Sequence, residues 1–245
     1  MTRLLGIDAA TQPDRTGLAC ADWDGATLRV GATHRPNGPE DQLAWLADRL
    51  TKDEPCLIGV DAPLGWPVGL AAALGTHRAG DPVAASADRL FRRRTDQAIQ
   101  ERLGKRPMDV GADRIARTAH AALALLGALA ERSGSAIEPA WSEHEWSSPA
   151  VAEVYPAATL TALGLTATGY KGANTAARAA LIQTLPDWVL LPEPAREAAI
   201  SSDHVADAVI TLVAAADFLA GRCPGPDEPE RAYQEGWIWV REPTS

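Results

Sequence analysis

The sequence predicts an α/β fold, a mixed five-stranded sheet flanked by helices, with a large helical insertion between the fourth and fifth strands. Three observations predict it. Two short apolar runs, Arg3-Leu4-Leu5-Gly6-Ile7-Asp8 and Leu57-Ile58-Gly59-Val60-Asp61, each end on an aspartate followed by alanine. Between them the pattern reads strand, strand, helix, so the second run closes a hairpin-built antiparallel half through a right-handed crossover that leaves it parallel to the first. A late segment, from about Ser201 to Gly221, is nearly all small and apolar beyond its first two turns and suits burial against such a sheet.

Composition bounds the class. A chain of 245 residues, 46% apolar and 22% charged, can bury a sizeable core. Its net charge of −9 argues against non-specific attraction to nucleic acid or an anionic membrane. Cys20, Cys56 and Cys223 are widely spaced, with neither a disulfide framework nor a zinc knuckle among them. The longest apolar stretch, Ala121 to Ala130, is too short to span a bilayer, and Asp8 interrupts the N-terminal apolar run before a signal core forms. A cytoplasmic protein is expected.

Residues 3–9, 16–23 and 26–33 read as three strands, the last two joined by the hairpin pair Asp24-Gly25. Leu43, Leu46, Ala47 and Leu50 recur at helical spacing after Pro39, which predicts a helix over 39–50. The strand ending at Asp61 follows. The insertion, 62–149, opens with a Pro/Gly loop and predicts a helix over 86–103, an Ala/Leu-rich helix over 110–132 and a loop over 133–149 in which Trp141 and Trp146 look exposed. Residues 150–156 make the fifth strand. Residues 157–185 give a short helix, a Gly-rich loop through Tyr170 and Lys171, and a helix from about Asn174. After the last helix, 222–236 reads as linker and 237–240 as a small closing strand.

A buried strand has no packing reason to end on a carboxylate, which is costly there unless paired or bound to metal. Asp8 and Asp61 are therefore candidate site residues, delivered to one sheet end if their strands are parallel neighbours. Glu153 lies inside the fifth strand, with a solvent-facing edge position as its alternative. Asp203, His204 and Asp207 share one end of the last helix; Asp203 has an alternative as helix cap, whereas Asp207, mid-helix, needs a partner. Converging carboxylates repel unless cations neutralise them, which points to Mg²⁺ or Mn²⁺ and to in-line phosphodiester hydrolysis. Between Asp88 and Arg106 seven basic and three acidic residues concentrate positive charge. Arg92 and Arg93 on that strip, with Lys171, are the candidate phosphate ligands, the alternative for the strip being a solvated helix face. Gly164 to Lys171 is no P-loop, because no Ser or Thr follows the lysine and no strand leads in.

The motifs Gly6-Ile7-Asp8, Val60-Asp61-Ala62-Pro63-Leu64-Gly65, Arg94-Thr95-Asp96, Glu153-Val154-Tyr155-Pro156, Tyr170-Lys171, Asp203-His204 with Asp207-Ala208, and Glu235-Gly236-Trp237-Ile238 resemble, in number and order, domain of unknown function family 429. That family is described as predicted ribonuclease H-like nucleases, and the last-helix motif is similar to that of Holliday-junction resolvases. The resemblance implies a ribonuclease H-like fold and a metal-dependent nuclease. It carries Asp8, Asp61, Asp207 and Asp203 over as metal ligands, Glu153 as a catalytic residue and His204 as a water-orienting group. Two other classes stay open: an ATP-dependent phosphotransferase on the same sheet topology, and a non-catalytic nucleotide- or anion-binding protein.

Overall fold

The computed structural model describes residues 1–50, 54–111 and 113–243. Three strands open it, β1 (Thr2–Asp8), β2 (Gly17–Trp23) and β3 (Leu28–His34), paired as an antiparallel meander. Gly25, at φ 98°, turns the second hairpin, and the Asp24 carboxylate holds it by accepting the N–H groups of Ala26 and Thr27. Helix α1 (Pro39–Ala47) crosses over, and β4 (Cys56–Val60) returns parallel to β1, as the sequence predicts. The insertion holds α2 (Val68–Leu74), α3 (Ala87–Phe91), α4 (Arg94–Leu103), α5 (Asp113–Ser133) and a two-residue strand, β5 (Glu138–Pro139). There follow β6 (Ala150–Glu153), α6 (Pro156–Ala162), α7 (Thr175–Gln183), β7 (Val189–Leu190), α8 (Glu193–Ser201), α9 (Asp203–Leu219) and α10 (Pro229–Glu235).

The sheet runs β5-β6-β4-β1-β2-β3-β7, seven strands among the described residues where the sequence predicts five. The two extra strands, β5 and β7, are edge pairings of two residues each, too short to carry any alternation a sequence reading could detect. Period-two alternation divides the long strands between two cores. Leu4, Leu57, Ala150 and Ala152 face α8 and α9, while Leu5, Ile7, Ile58, Val60 and Val151 face α1 and α5. Trp141 and Trp146 pack against the first of these cores rather than standing exposed, and Trp141 meets Tyr233 edge-on.

Two further expectations change. The helix expected over 86–103 is broken at Arg92 and Arg93, both in extended backbone, so that α4 starts afresh with the Asp96 carboxylate accepting the Arg93 N–H. The closing segment 237–240 joins the sheet by a single parallel bridge, Ile238 to Glu153, and the linker before it contains α10. Of the helix expected over 110–132, Ala112 lies outside the described residues and the remainder forms most of α5. Among the described residues no helix is long and apolar enough to cross a membrane.

Helix α9 lies unusually close to the sheet, because glycine stands where it crosses β1 and β2. A Cβ on Gly6 would sit 2.3 Å from the Ala208 carbonyl oxygen, and one on Gly17 would sit 1.9 Å from that of His204. Both obstacles are backbone. Gly17→Ala is thus expected to push the first turn of α9 off the sheet at an overpacking cost of about 1–3 kcal/mol, or ~2–12 °C in Tm for a chain of this size. A melting curve that superimposes on the wild type's would refute this.

Candidate functional site

β1 and β4 run parallel with Ile7 opposite Val60, and the Asp61 N–H donates to the Ile7 carbonyl at 2.9 Å. Asp8 and Asp61 therefore emerge side by side at the carboxyl ends of two adjacent strands, where open α/β sheets gather ligands. Helix α9 begins at the same end and brings Asp207, only 2% exposed, down onto the pair. The three carboxylates feel one another. Burial, then the charges of Asp8 and Asp207, raise Asp61 well above the usual carboxylate range. Burial also pushes Asp8 up to about 6, against the hydrogen bond from His204 that favours its ionised form.

Positive charge reaches this floor from the Gly-rich loop. The Lys171 ammonium lies 2.7 Å from Asp207 Oδ2, and the Tyr170 hydroxyl donates to Asp207 Oδ1 at 2.6 Å, so both oxygens of that carboxylate are engaged. Asp61 and Asp8, together with Asp207, hold the lysine in its charged form against the opposing effect of burial. His204 Nδ1 meets Asp8 Oδ2 at 2.7 Å, a contact that raises the imidazole above its ordinary value. With Nδ1–H donating to Asp8, Nε2 is the ring nitrogen left for other work. Asp61 is different. Among the described residues its carboxylate accepts no hydrogen bond.

Sequence reasoning passed over what fixes the lysine loop. Arg178, 2% exposed, donates from Nη1 to the Tyr170 and Gly172 carbonyls and from Nε to that of Ile200, tying the loop to the approach to α9. Asp203 accepts the Gly172 N–H at 2.8 Å and so clamps the same loop. It is not the helix cap: Ser202 is, its hydroxyl accepting the Val205 N–H. Only Tyr170 beside Lys171 was visible as a motif; an arginine inside α7 gave no signal.

A second cluster sits one strand away, and it engages the paired arginines, expected to bind phosphate, with partners inside the protein. Arg93 is 1% exposed and spends its guanidinium on Glu153 Oε1 at 2.7 Å, Glu153 Oε2 at 2.9 Å, Asp96 and the Glu235 carbonyl. Arg92 is also buried and donates to Gln100. The break between α3 and α4 turns this part of the basic strip inward, toward carboxylates that need it. Glu153, expected to act in catalysis, has both oxygens engaged: besides Arg93, its Oε2 accepts the Leu64 N–H at 3.0 Å and thereby holds the loop that leaves Asp61.

A recess of about 740 Å³ opens above the floor, lined by Asp61, Lys171, His204, Glu153 and Tyr155 and roofed by the insertion through Lys105, Met108 and Arg114. The family model described as Protein of unknown function (DUF429) matches residues 6–231. The chain belongs to the DUF429 family. No curated protein and no solved structure gives a match.

Whether a divalent ion suits this DUF429 chain is decided by the donor set. Asp8, Asp61 and Asp207 are hard oxygen donors of the kind Mg²⁺ and Mn²⁺ prefer, and the Lys171 ammonium is a stand-in cation among them. As they stand, among the described residues, no three His, Cys, Asp or Glu side chains are grouped to hold a metal. Lys171 takes one oxygen that Asp207 would offer to an ion. The residues fit the ion in kind, on condition that the lysine gives way.

Proposed function

We propose that this DUF429 chain is a divalent-metal-dependent phosphodiesterase or nuclease of ribonuclease H-like architecture. One observation carries the reading: three mutually repelling carboxylates from β1, β4 and α9 come together at the carboxyl ends of β1 and β4, where a loop lysine pairs with one of them. Asp8, Asp61 and Asp207 would hold Mg²⁺ or Mn²⁺. Such an ion, when bound, lowers the pKa of water and stabilises charge on a leaving oxygen. The chain's own groups do the rest. Tyr170 fixes the rotamer of Asp207 through its hydroxyl. His204, oriented by Asp8, orients the attacking water and takes its proton at Nε2. Lys171, released from Asp207, meets a phosphate oxygen. The insertion lines the recess above the floor through Lys105, Met108 and Arg114.

The test has two parts. The wild type is expected to bind Mn²⁺ in calorimetry and to hydrolyse bis(p-nitrophenyl) phosphate only with metal present. Lys171→Met, which removes the competing cation while keeping the stem, is expected to bind Mn²⁺ at least about tenfold more tightly, that is by ~1.4 kcal/mol or more. Binding no tighter than the wild type's would sink the stand-in role of the lysine. A second reading, a nucleotide- or anion-binding protein without turnover, draws on the same lysine remaining on Asp207. It predicts no Mn²⁺ binding by either protein.

A further inference from the structure

The depth of the floor and the charge at its mouth restrict what can reach it. Asp8 is 8% exposed and Asp207 2%, so a phosphodiester must descend into the recess to meet them. That recess, about 740 Å³, falls in the range of roughly 300–1,000 Å³ that suits small molecules. The backbone of a duplex is held on a rod whose major groove alone is about 12 Å wide, and it cannot follow. One or two nucleotides can.

The mouth supplies an address. Arg15, in the turn after β1, with Lys105 and Arg114, on the insertion, line the recess, and among the described residues none of the three has an ion-pair partner. On a chain of net charge −9, three uncommitted cations around one opening are a local reversal of sign. Apolar surface stands among them: Met108, 68% exposed, with Ile115 and Tyr155, lines the same recess. Cations for phosphate and an aromatic or apolar face for a base are the two elements of sequence-tolerant single-strand binding. An extended duplex would need a longer cationic track than this surface has.

We infer that the recess takes a short single-stranded nucleotide, one or two residues long, with its phosphates at Arg15, Lys105 and Arg114 and a base against Tyr155 and Met108. This rests on the proposed phosphodiester chemistry for what happens at the floor, but binding can be read apart from it. Titration calorimetry of the wild-type protein with the thymidine dinucleotide pTpT, with and without Ca²⁺, is expected to give saturable binding. A duplex of about 20 base pairs is expected to bind at least tenfold more weakly. The double charge reversal Lys105→Glu/Arg114→Glu, checked for an unchanged circular dichroism spectrum and melting curve, is expected to weaken pTpT binding at least tenfold. A duplex that binds as well as pTpT, pTpT that does not bind, or a charge reversal without effect overturns the inference. Hydrolysis of bis(p-nitrophenyl) phosphate by the wild type reports on the chemistry alone. Cleavage without pTpT binding sinks the substrate class and spares the hydrolase; pTpT binding without cleavage does the reverse.

Discussion

Asp61→Asn yields a protein that is more stable than the wild type and inactive. The stability half follows from linkage. Asp61 in the folded chain has its pKa raised well above the ordinary value, first by burial and then by Asp8 and Asp207. Over the interval between the unfolded and folded pKa values the native state therefore binds more protons than the unfolded state, and stability falls as pH rises. Below about pH 4 the carboxyl is neutral in both states and costs nothing. Above that it is ionised for free in the unfolded chain and at a penalty in the folded one. Each unit of displacement is worth ~1.4 kcal/mol, or roughly 3–6 °C in this size class. Asparagine keeps the shape and removes the charge. The metal-free variant is expected to melt at least ~2 °C above the wild type at pH 8, with the gap closing toward pH 4. Saturating Mn²⁺ should narrow it from the other side by stabilising only the wild type. The activity half is a loss of at least ~10²-fold, since the contribution of a bound metal is several kcal/mol at 1.36 per decade. A variant that melts lower at pH 8, or that retains metal-dependent hydrolysis, would show that Asp61 is a structural carboxylate. Melting curves at three pH values and one chromogenic assay suffice.

The floor of the site was legible because strands announce their ends. Leu4 to Ile7 and Leu57 to Val60 are apolar on both faces, so the aspartates that follow stand out, and the crossover rule makes those strands neighbours without any knowledge of side-chain packing. Asp207 was legible for a similar reason, as a charge inside a helix with no polar face. Partners were harder. Nothing in a local pattern tells whether Arg93 points to solvent or 60 positions along the chain to Glu153, because that depends on where α4 breaks, and the break is fixed by the distant contact. The two-residue strands β5 and β7 fail for the opposite reason: their pairing is imposed by neighbours and leaves no periodicity of its own. Lys171 was visible, but its position on Asp207 was not, since loop direction is set by Arg178 and Asp203 from two other elements.

Arg93→Met is expected to cost about 3–5 kcal/mol, or roughly 6–20 °C, although the residue touches neither the three carboxylates of the floor nor the rim cations. Burial alone would disfavour its charge; Glu153 and Asp96 more than reverse that, and Arg93 in turn opposes the burial that raises Glu153. Removing it leaves Glu153, 3% exposed, and Asp96, 1% exposed, as uncompensated neighbours. Glu153, which burial already raises, must without its cation take up a proton or open the structure. The loss should therefore be smaller at pH 5 than at pH 8. Neutralising the glutamate as well, in Arg93→Met/Glu153→Gln, is expected to restore part of the stability, because it leaves one uncompensated buried acid, Asp96, in place of two. Activity separates the roles. Glu153 holds the Leu64 N–H and so the loop leaving Asp61, and Gln keeps an oxygen there to accept it. If Glu153 is a positioning residue, the stabilised double variant retains metal-dependent hydrolysis within about tenfold of the wild type; if it acts on the substrate itself, stability returns and hydrolysis does not.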